Sequence, residues 1–312
     1  MTDTELHATL LANGPYVRDD APFRLLTIAG PDAGSFLHKL CTQDVQGMPE
    51  GQVRPAAFLD AKGKLQVTAW VARQAETYWL EVQAHQAERL RELLDRYHFT
   101  EKLELKLLEA QPCRERVAAA DGEASAVGTG TAEFGAAGAV TYRVCRRGVQ
   151  FERGYGAAAA SLAAAGEAMD EATAAALRMC AGIVHVGLET EANTLGLEAD
   201  LDDHCSTTKG CYTGQEIVAR IHTYGHVNRK LCLLQLAGEG RIEEPVGLLE
   251  PEDEIAVGRV LHAVPLAGVG GEAPVRLGLG YLPKDFQEVG TKLLLEGGEG
   301  GENAAVVVVG FA

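Results

Sequence analysis

The sequence predicts an α+β protein of two or three domains whose last third is built from short β-strands. Its 312 residues are more than a single hydrophobic core of ordinary size accommodates. Up to about residue 230, segments with helical spacing of apolar residues alternate with segments of period two. Beyond that point, short apolar runs are separated by Gly, Pro and acidic residues, which indicates strands and turns. Residues 1–230 are therefore expected to form one α+β region, subdivided near residue 110, and residues 231–312 a separate β-domain.

In the N-terminal part of the α+β region, predicted strands alternate with two amphipathic helices. Residues 23–28 form an apolar strand. Asp32 then occupies an N-cap position before a helix whose apolar side chains share one face: Phe36, Leu37 and Leu40. A turn at 60–63 (Asp-Ala-Lys-Gly) separates two further strands, of which the second, 65–71, alternates apolar and polar residues. The remaining segments are a strand at 78–82, a helix around 90–97 and a strand at 103–108.

The rest of the chain supplies further helices and then the C-terminal strands. Residues 156–180 are rich in Ala and predict one or two helices, since Gly166 interrupts a single long one. Another helix is predicted from Gly214 to about Tyr224, with Gly225 as its C-terminal stop. Five apolar runs favour a small barrel or a sandwich, at residues 231–236, 256–264, 275–281, 293–295 and 304–309.

Composition and charge argue against several classes of function. The formal charge is −16, from 28 basic and 44 acidic residues, and such a field repels phosphate backbones, so general nucleic-acid binding is not expected. No apolar run is long enough to span a membrane, and the segment from Met1 to Gly14 lacks the pattern of a secretory signal. Seven scattered cysteines without a C-x-x-C pair argue against a disulfide framework and against a standard zinc site. A cytoplasmic protein without a bound metal is expected.

The segment KGCYTGQE, residues 209–216, concentrates the residues that point to chemistry. Thr213 and Glu216 have the T-x-x-E spacing of a capping box, which places Cys211 just ahead of a helix N-terminus. The free amides of such a helix end and the charge of Lys209 both lower the pKa of a thiol, and a nucleophile, a redox centre or a soft-metal ligand requires the thiolate. Two glycines flank the cysteine and let a ligand approach the backbone: Gly210 and Gly214.

Other interpretations of this region stay open at the level of the sequence. Cys211 could be a buried packing residue, as most free cysteines are. His204, Cys205 and Cys211 could form part of a metal site, since all three are soft or borderline ligands, although their spacing matches no standard metal motif. Two small basic spots, at residues 146–147 and 229–230, are expected to be solvated surface.

The same segment resembles the signature of the YgfZ-like family, K-G-C-Y-x-G-Q-E, and the resemblance continues to Arg220. YgfZ-like proteins are related to the aminomethyltransferase (T-protein, GcvT) of the glycine cleavage system. Stretches along almost the whole chain match the patterns of this superfamily: residues 28–37, TQDV at 42–45, FLDAKGK at 58–64, Arg178 with Gly182 and Ile183, GRV at 258–260 and LGY at 279–281.

This resemblance implies a fold, a ligand and a role. The fold is the multi-domain α+β fold of GcvT and YgfZ, with two interleaved subdomains and a small C-terminal β-barrel. The ligand is tetrahydrofolate or a derivative, whose glutamate tail the basic spots could meet. The role is support of iron–sulfur cluster assembly or repair, including that of enzymes that modify tRNA, with iron–sulfur enzymes or assembly proteins as partners. The conserved cysteine of the family is Cys211; the other residues carried over are those of the motif (Lys209, Gly210, Tyr212, Gly214, Gln215, Glu216, Arg220) and of the folate pocket (Asp60, Gly63, Arg178, Glu198, Lys209).

Two departures from the transferase pattern leave catalysis open. The strand after the turn reads LQVTA at 65–69, without the Asp that the aminomethyltransferase uses, and general acid–base chemistry needs such a titrating group. Cys180 stands where the transferase has its pterin-binding Glu, so Glu198 is the expected substitute. A folate-binding accessory protein is the preferred hypothesis. A folate-dependent one-carbon transferase or demethylase and a scaffold without chemistry are the alternatives.

Overall fold

The computed structural model describes residues 3–120, 129–266, 275–297 and 303–311. Its α-helices are α1 (Asp3–Leu11), α2 (Ala33–Leu40), α3 (Ala87–Arg96), α4 (Ala157–Ser161), α5 (Glu171–Cys180) and α6 (Gln215–Tyr224). The chain divides into two compact units, each assembled from separate stretches. The sheet unit comprises residues 15–168 and 201–224, and the barrel unit comprises residues 1–14, 169–200 and 225–312. The predicted domain boundaries near residues 110 and 230 stay predictions.

The sheet unit is built on one eleven-stranded sheet. Its strands are β1 (Tyr16–Arg18), β2 (Phe23–Ala29), β3 (Gln52–Leu59), β4 (Leu65–Gln74), β5 (Thr77–Gln83), β6 (Glu104–Leu107), β7 (Cys113–Ala119), β8 (Thr129–Phe134), β9 (Val140–Arg146), β10 (Val149–Tyr155) and β11 (Glu167–Ala168). Across the sheet their order is β11-β1-β7-β10-β9-β8-β3-β4-β5-β2-β6. Neighbours run antiparallel except β1 and β11, which are parallel. The period-two segments predicted between Phe23 and Leu108 are thus confirmed as strands.

Helices α2 and α3 pack on β2–β5 to form one core of the sheet unit. The apolar stripe predicted for α2 is buried there, with Phe36 3% and Leu37 0% exposed, and each such side chain contributes about 1.5–3 kcal/mol. The predicted N-cap bond of Asp32 is not formed. Its carboxylate accepts the amide of Lys102 (2.7 Å), which ties the start of α2 to the segment between α3 and β6.

A buried ionic network ties together β5, β7 and β10 in the same sheet. The guanidinium of Arg153 donates to the carboxylates of Glu81 (2.5 Å) and Glu115 (3.1 Å), and it lies 4.2 Å from the ring centre of Phe23. The hydroxyl of Tyr155 donates to Glu81 (2.7 Å). These partners neutralise a charge that is only 1% exposed, which a buried guanidinium requires.

The barrel unit contains a closed six-stranded barrel. Its strands are β12 (Arg229–Ala237), β13 (Val246–Leu249), β14 (Ala256–Leu266), β15 (Val275–Pro283), β16 (Lys292–Leu295) and β17 (Ala304–Phe311), in the order β12-β15-β14-β13-β16-β17. The α+β class and the small C-terminal barrel are therefore confirmed, and the sandwich is excluded. Strand β13 was not predicted, because four residues are too few to display a period.

Helices α1 and α5 belong to the barrel unit as well. They contact each other, and α5 also contacts β14 and β15. The Ala-rich segment does form two helices, and Gly166, with φ of +157°, lies between α4 and α5. In the described parts of the chain, no helix is both long and apolar enough to cross a membrane.

Candidate functional site

Cys211 lies in the turn that leads into α6, and its side chain is exposed. The other six cysteines are buried: Cys41, Cys113, Cys145, Cys180, Cys205 and Cys232. Burial raises the pKa of Cys113, Cys205 and Cys232 to about 12, so these are protonated thiols at neutral pH. Cys211 is thus the cysteine that a solute can reach, and the alternative that it is a buried packing residue is wrong.

The residues on either side of Cys211 are anchored. Lys209 and Tyr212 are each only 8% exposed. The amide of Thr213 donates to the carbonyl oxygen of Lys39 near the end of α2 (3.2 Å). The thiol is therefore presented on an exposed two-residue tip between buried neighbours.

Lys209 is a buried ammonium group at the C-terminal end of α2. Its Nζ donates to the carbonyl oxygens of His38 (2.5 Å), Cys41 (2.8 Å) and Gln43 (2.8 Å), and it lies 5.0 Å from the ring centre of Tyr212. The last carbonyls of a helix lack partners within the helix and favour a cation. An ammonium has three N–H groups, and all three are donated here. Binding of folate by Lys209 stays a prediction, and it would require these bonds to break.

The stretch at 42–45, noted for its TQDV pattern, docks on the segment that precedes the motif. The hydroxyl of Thr42 donates to the carbonyl oxygen of His204 (2.6 Å), and its own carbonyl oxygen accepts the amide of Ser206 (3.0 Å). The amide group of Gln43 donates to the carbonyl oxygen of Asp203 (3.0 Å). The stretch at 42–45 is thereby hydrogen-bonded to the segment directly ahead of the motif, although the two lie far apart in the sequence.

Arg146 fastens the same segment from the sheet. It is 2% exposed, and Nε and Nη2 bind both oxygens of Asp203 (2.8 and 3.1 Å). Asp203 also binds Nδ1 of His204 (2.8 Å), whose ring packs near Trp70. Burial by itself would raise the pKa of Asp203, but His204 and Arg146 outweigh it and hold the pKa far below its usual range. The prediction that Arg146 is solvated surface is wrong, because its charge partner lies 57 residues away in sequence.

The turn after β3 packs directly against the motif. The Oδ1 of Asp60 accepts the amides of Lys62 (2.8 Å) and Lys64 (2.9 Å), which closes the turn. Gly214, with φ of +82°, approaches so closely that a Cβ there would lie 2.7 Å from the carbonyl oxygen of Asp60. A Cβ on Gly63 would likewise lie 2.7 Å from Cβ of Ile217 in α6. The glycines of both motifs thus permit this packing. Whether Asp60 and Gly63 also bind folate stays a prediction.

Helix α6 begins at Gln215, one residue later than expected. Thr213 therefore stands one position too early to cap it, and the T-x-x-E capping box is out of register. Gly225, with φ of +118°, follows the helix as the predicted stop. Two motif residues are exposed on α6, Glu216 and Arg220.

In the barrel unit, Arg178 is bound to a buried carboxylate that carries no sequence signal of its own. Its guanidinium donates to both oxygens of Glu189 (2.6 and 2.5 Å) and to the carbonyl oxygen of Ile183 (2.7 Å). The ring of His262 and the amide of His185 bind the same carboxylate (2.9 and 2.7 Å). Burial alone would raise the pKa of Glu189, but Arg178 and these hydrogen bonds lower it to about 2. Arg178 thus holds its loop together, and its role toward folate stays a prediction.

Glu198 lies in a second charged cluster of the barrel unit. It is 8% exposed, and Oε2 accepts the amide of Leu195 (3.0 Å) while Oε1 lies 3.5 Å from Nε of Arg229. Arg229 donates to Glu191 (2.6 Å) and lies 4.8 Å from the ring centre of Tyr281. A cleft of about 370 Å³ opens beside this cluster, and its lining includes Glu191, Arg229, Gly258, Arg259 and Tyr281. The basic spot at Arg229 is thus ion-paired.

The predicted site residues are divided between the units. The sheet unit holds Asp60, Gly63, the 209–216 motif and Arg220, and the barrel unit holds Arg178 and Glu198. Turn and motif are in contact within the sheet unit, whereas Arg178 and Glu198 belong to separate networks. The metal alternative for His204, Cys205 and Cys211 finds no support: within the described residues, no group of three or more His, Cys, Asp or Glu side chains is placed to hold a metal ion.

Comparison with known proteins identifies the fold. No family model matches the sequence. The structure aligns with the crystal structure of glycine cleavage system aminomethyltransferase T from Bartonella henselae at a TM-score of 0.73, over 99% of this chain and 88% of that chain, with 17% identity. The chain has the aminomethyltransferase fold. A similar curated protein is At1g60990, a chloroplastic protein of Arabidopsis thaliana whose name provisionally calls it a transferase, 25% identical over 313 residues that cover 89% of this chain and 67% of that protein.

The aminomethyltransferase fold agrees with the fold that the sequence resemblance implied. It accounts for an extended sheet and a closed barrel in one chain. Membership of the YgfZ-like family stays a prediction. A cytoplasmic location also stays a prediction, and the Arabidopsis relative is chloroplastic.

Proposed function

We propose that this chain binds tetrahydrofolate and supports iron–sulfur cluster assembly or repair through Cys211. The observation that carries the proposal is the exposure of Cys211 on an anchored tip, within a segment that resembles the YgfZ-like signature. The aminomethyltransferase fold supports folate as the ligand class. In this proposal the thiol serves iron–sulfur enzymes, among them enzymes that modify tRNA.

Glu198 and Arg229 are the residues that would hold the pterin. One oxygen of the Glu198 carboxylate has only a 3.5 Å contact with Arg229, so it retains acceptor capacity for the N–H groups of a pterin edge. The ring of Tyr281, which is 3% exposed, lies beside Arg229. Cys180, which stands in place of the transferase's Glu, is 1% exposed and has no carboxylate to offer. In this proposal the pterin is held by one carboxylate and one guanidinium.

Calorimetric titration with tetrahydrofolate tests the ligand. Glu198→Gln should weaken binding at least about tenfold, because a carboxylate that accepts charged or polar N–H groups is lost. Glu244→Gln, at an exposed position of the barrel unit, is the matched control and should bind like the wild type. Equal affinity of the wild type, Glu198→Gln and Glu244→Gln would refute a role of Glu198 in binding. The absence of binding to all three proteins would refute tetrahydrofolate as the ligand.

The role of the thiol is tested in cells. A knockout carrying Cys211→Ala should fail to restore the activity of cluster-dependent enzymes, although the purified variant should still bind tetrahydrofolate. Cys145→Ala, at a buried cysteine in the same unit, is the matched control and should restore activity. Full restoration by Cys211→Ala would refute the role assigned to the thiol.

A folate-dependent one-carbon transferase or demethylase is the second candidate, and the name of the Arabidopsis relative favours it. Strand β4 argues against it, since its sequence LQVTAWVARQ contains no carboxylate for proton transfer. Incubation with 5,10-methylenetetrahydrofolate or an N-methylated amine decides between the two. Turnover that Cys211→Ala abolishes would favour the enzyme, and its absence with every donor would favour the accessory protein.

A further inference from the structure

The ammonium group of Lys209 lies in a ring of three carbonyl oxygens that belong to a distant part of the sequence. His38, Cys41 and Gln43 supply these oxygens at 2.5, 2.8 and 2.8 Å, and they are 166–171 residues away along the chain. The ring sits where α2 ends, so it combines the carbonyl of His38, in the last turn of the helix, with the negative end of the helix dipole. A compact ammonium with three donors satisfies such a ring, whereas neutral or planar side chains do not reproduce its geometry.

A second tether reaches the same end of α2 from the other side of the thiol. The amide of Thr213 donates to the carbonyl oxygen of Lys39 (3.2 Å). Cys211 therefore stands two residues after one anchor and two residues before the other. Tyr212, the residue after the thiol, is 8% exposed, and its ring centre lies 5.0 Å from the ammonium.

We infer that Lys209 is the positioning residue of Cys211, and that its ammonium fixes the exposed tip on the C-terminal end of α2. The inference rests on the proposed function only in that Cys211 is taken as the functional residue. Lys209 is not itself a nucleophile here, because an amine that donates three N–H groups has no free electron pair. Its contribution to the thiol is geometric.

The tip can be observed directly, because Cys211 is the exposed cysteine. A methanethiosulfonate nitroxide attached to it reports local motion by electron paramagnetic resonance. In the wild type the spectrum should be that of an immobilised label. In Lys209→Ala the rotational correlation time should fall at least about threefold, since the tip loses one of its two anchors.

Propylammonium chloride supplies a test that a merely structural role would not pass. It fits the space and the three carbonyls left by Lys209→Ala, so it should restore the immobilised spectrum in a saturable way, whereas 1-propanol should not. Lys62→Ala, at an exposed lysine on the neighbouring turn, is the control and should leave the spectrum unchanged. Should Lys209→Ala fail to fold, Lys209→Gln is measured in the same way, and its label should be more mobile than that of the wild type.

A spectrum of the folded Lys209 variant that matches the wild type would overturn the inference, as would equal rescue by propanol. Failure of the proposed function is recognised separately. If Cys211→Ala supports cluster enzymes fully, the functional role of the thiol is wrong, whatever the label shows. If neither Cys211→Ala nor Lys209→Ala restores the activity of cluster enzymes in the knockout, and Lys209→Ala also alters the label spectrum, the proposed function and the positioning role of Lys209 are both supported.

Discussion

Glu189→Gln should destabilise the protein by about 3 kcal/mol at neutral pH. The native carboxylate is 0% exposed and binds Arg178 through two hydrogen bonds, with further bonds from His262 and the amide of His185. Its pKa falls from an ordinary 4.5 to about 2, and this difference corresponds to about 3 kcal/mol of stability. The same magnitude is typical when one partner of a buried ion pair is removed and the other is left unpaired.

The stability difference between wild type and Glu189→Gln should depend on pH. Because the folded protein holds the carboxylate ionised, the stabilisation is fully present above about pH 4.5 and is lost as the pH falls toward about 2. A glutamine cannot titrate. The difference between wild type and Glu189→Gln should therefore shrink steadily between about pH 5 and about pH 3.

Urea unfolding followed by far-ultraviolet circular dichroism at several pH values measures both effects. Glu244→Gln, an exposed change in the same unit, is the control and should shift stability by less than about 0.5 kcal/mol at any pH. Equal stability of Glu189→Gln and wild type near pH 7, or a gap that stays constant down to about pH 3, would refute the reasoning.

Three further predictions concern the sheet unit. Gly214→Ala should lower the free energy of unfolding by about 1–3 kcal/mol, because φ is +82° and the new Cβ would lie 2.7 Å from the carbonyl oxygen of Asp60. Urea unfolding followed by tryptophan fluorescence measures this change, and an unchanged midpoint would contradict the close packing. Titration of the native protein with a thiol reagent should show one fast equivalent, which Cys211→Ser abolishes; a second fast thiol would contradict the burial of the others. Asp203→Asn should destabilise the protein by about 3 kcal/mol at neutral pH, since it removes the carboxylate that binds the buried guanidinium of Arg146. Because the pKa of Asp203 is lowered in the folded protein, this difference should shrink as the pH falls below about 4, where the unfolded chain takes up a proton; a difference independent of pH would speak against the ion pair.

Much of the fold could be predicted because its signals are local. The alternation of Leu65 and Val67 with polar neighbours predicts β4. The helical spacing of Phe36, Leu37 and Leu40 predicts α2. The C-terminal barrel could be anticipated from regularly spaced apolar runs. Gly63 lies in the predicted turn after β3 and Gly225 at the predicted end of α6. The close approach of Gly214 to the turn after β3 explains why its motif needs a glycine there.

The charged parts of the site could not be predicted in the same way. Arg146 binds Asp203, which is 57 residues away in sequence, and Glu189 binds His262, which is 73 residues away. A local sequence pattern therefore contains neither pair. The sequence places Lys209 two residues before the thiol but gives no sign that its ammonium bonds to carbonyls that lie far upstream. Side chains of this length are directed by tertiary partners, and only the backbone topology decides which partners are within reach.

The interleaving of the two units has a consequence for biosynthesis. The last stretch of the sheet unit ends at residue 224, before the ribosome has made any strand of the barrel, the first of which begins at Arg229. Helices α1 and α5 have by then been synthesised, and side chains such as Leu6 and Leu177, 0% and 1% exposed in the finished protein, still await the strands that complete their unit. Nascent chains that stall in this interval carry uncovered apolar side chains on these helices, which makes them clients for chaperones and prone to aggregate.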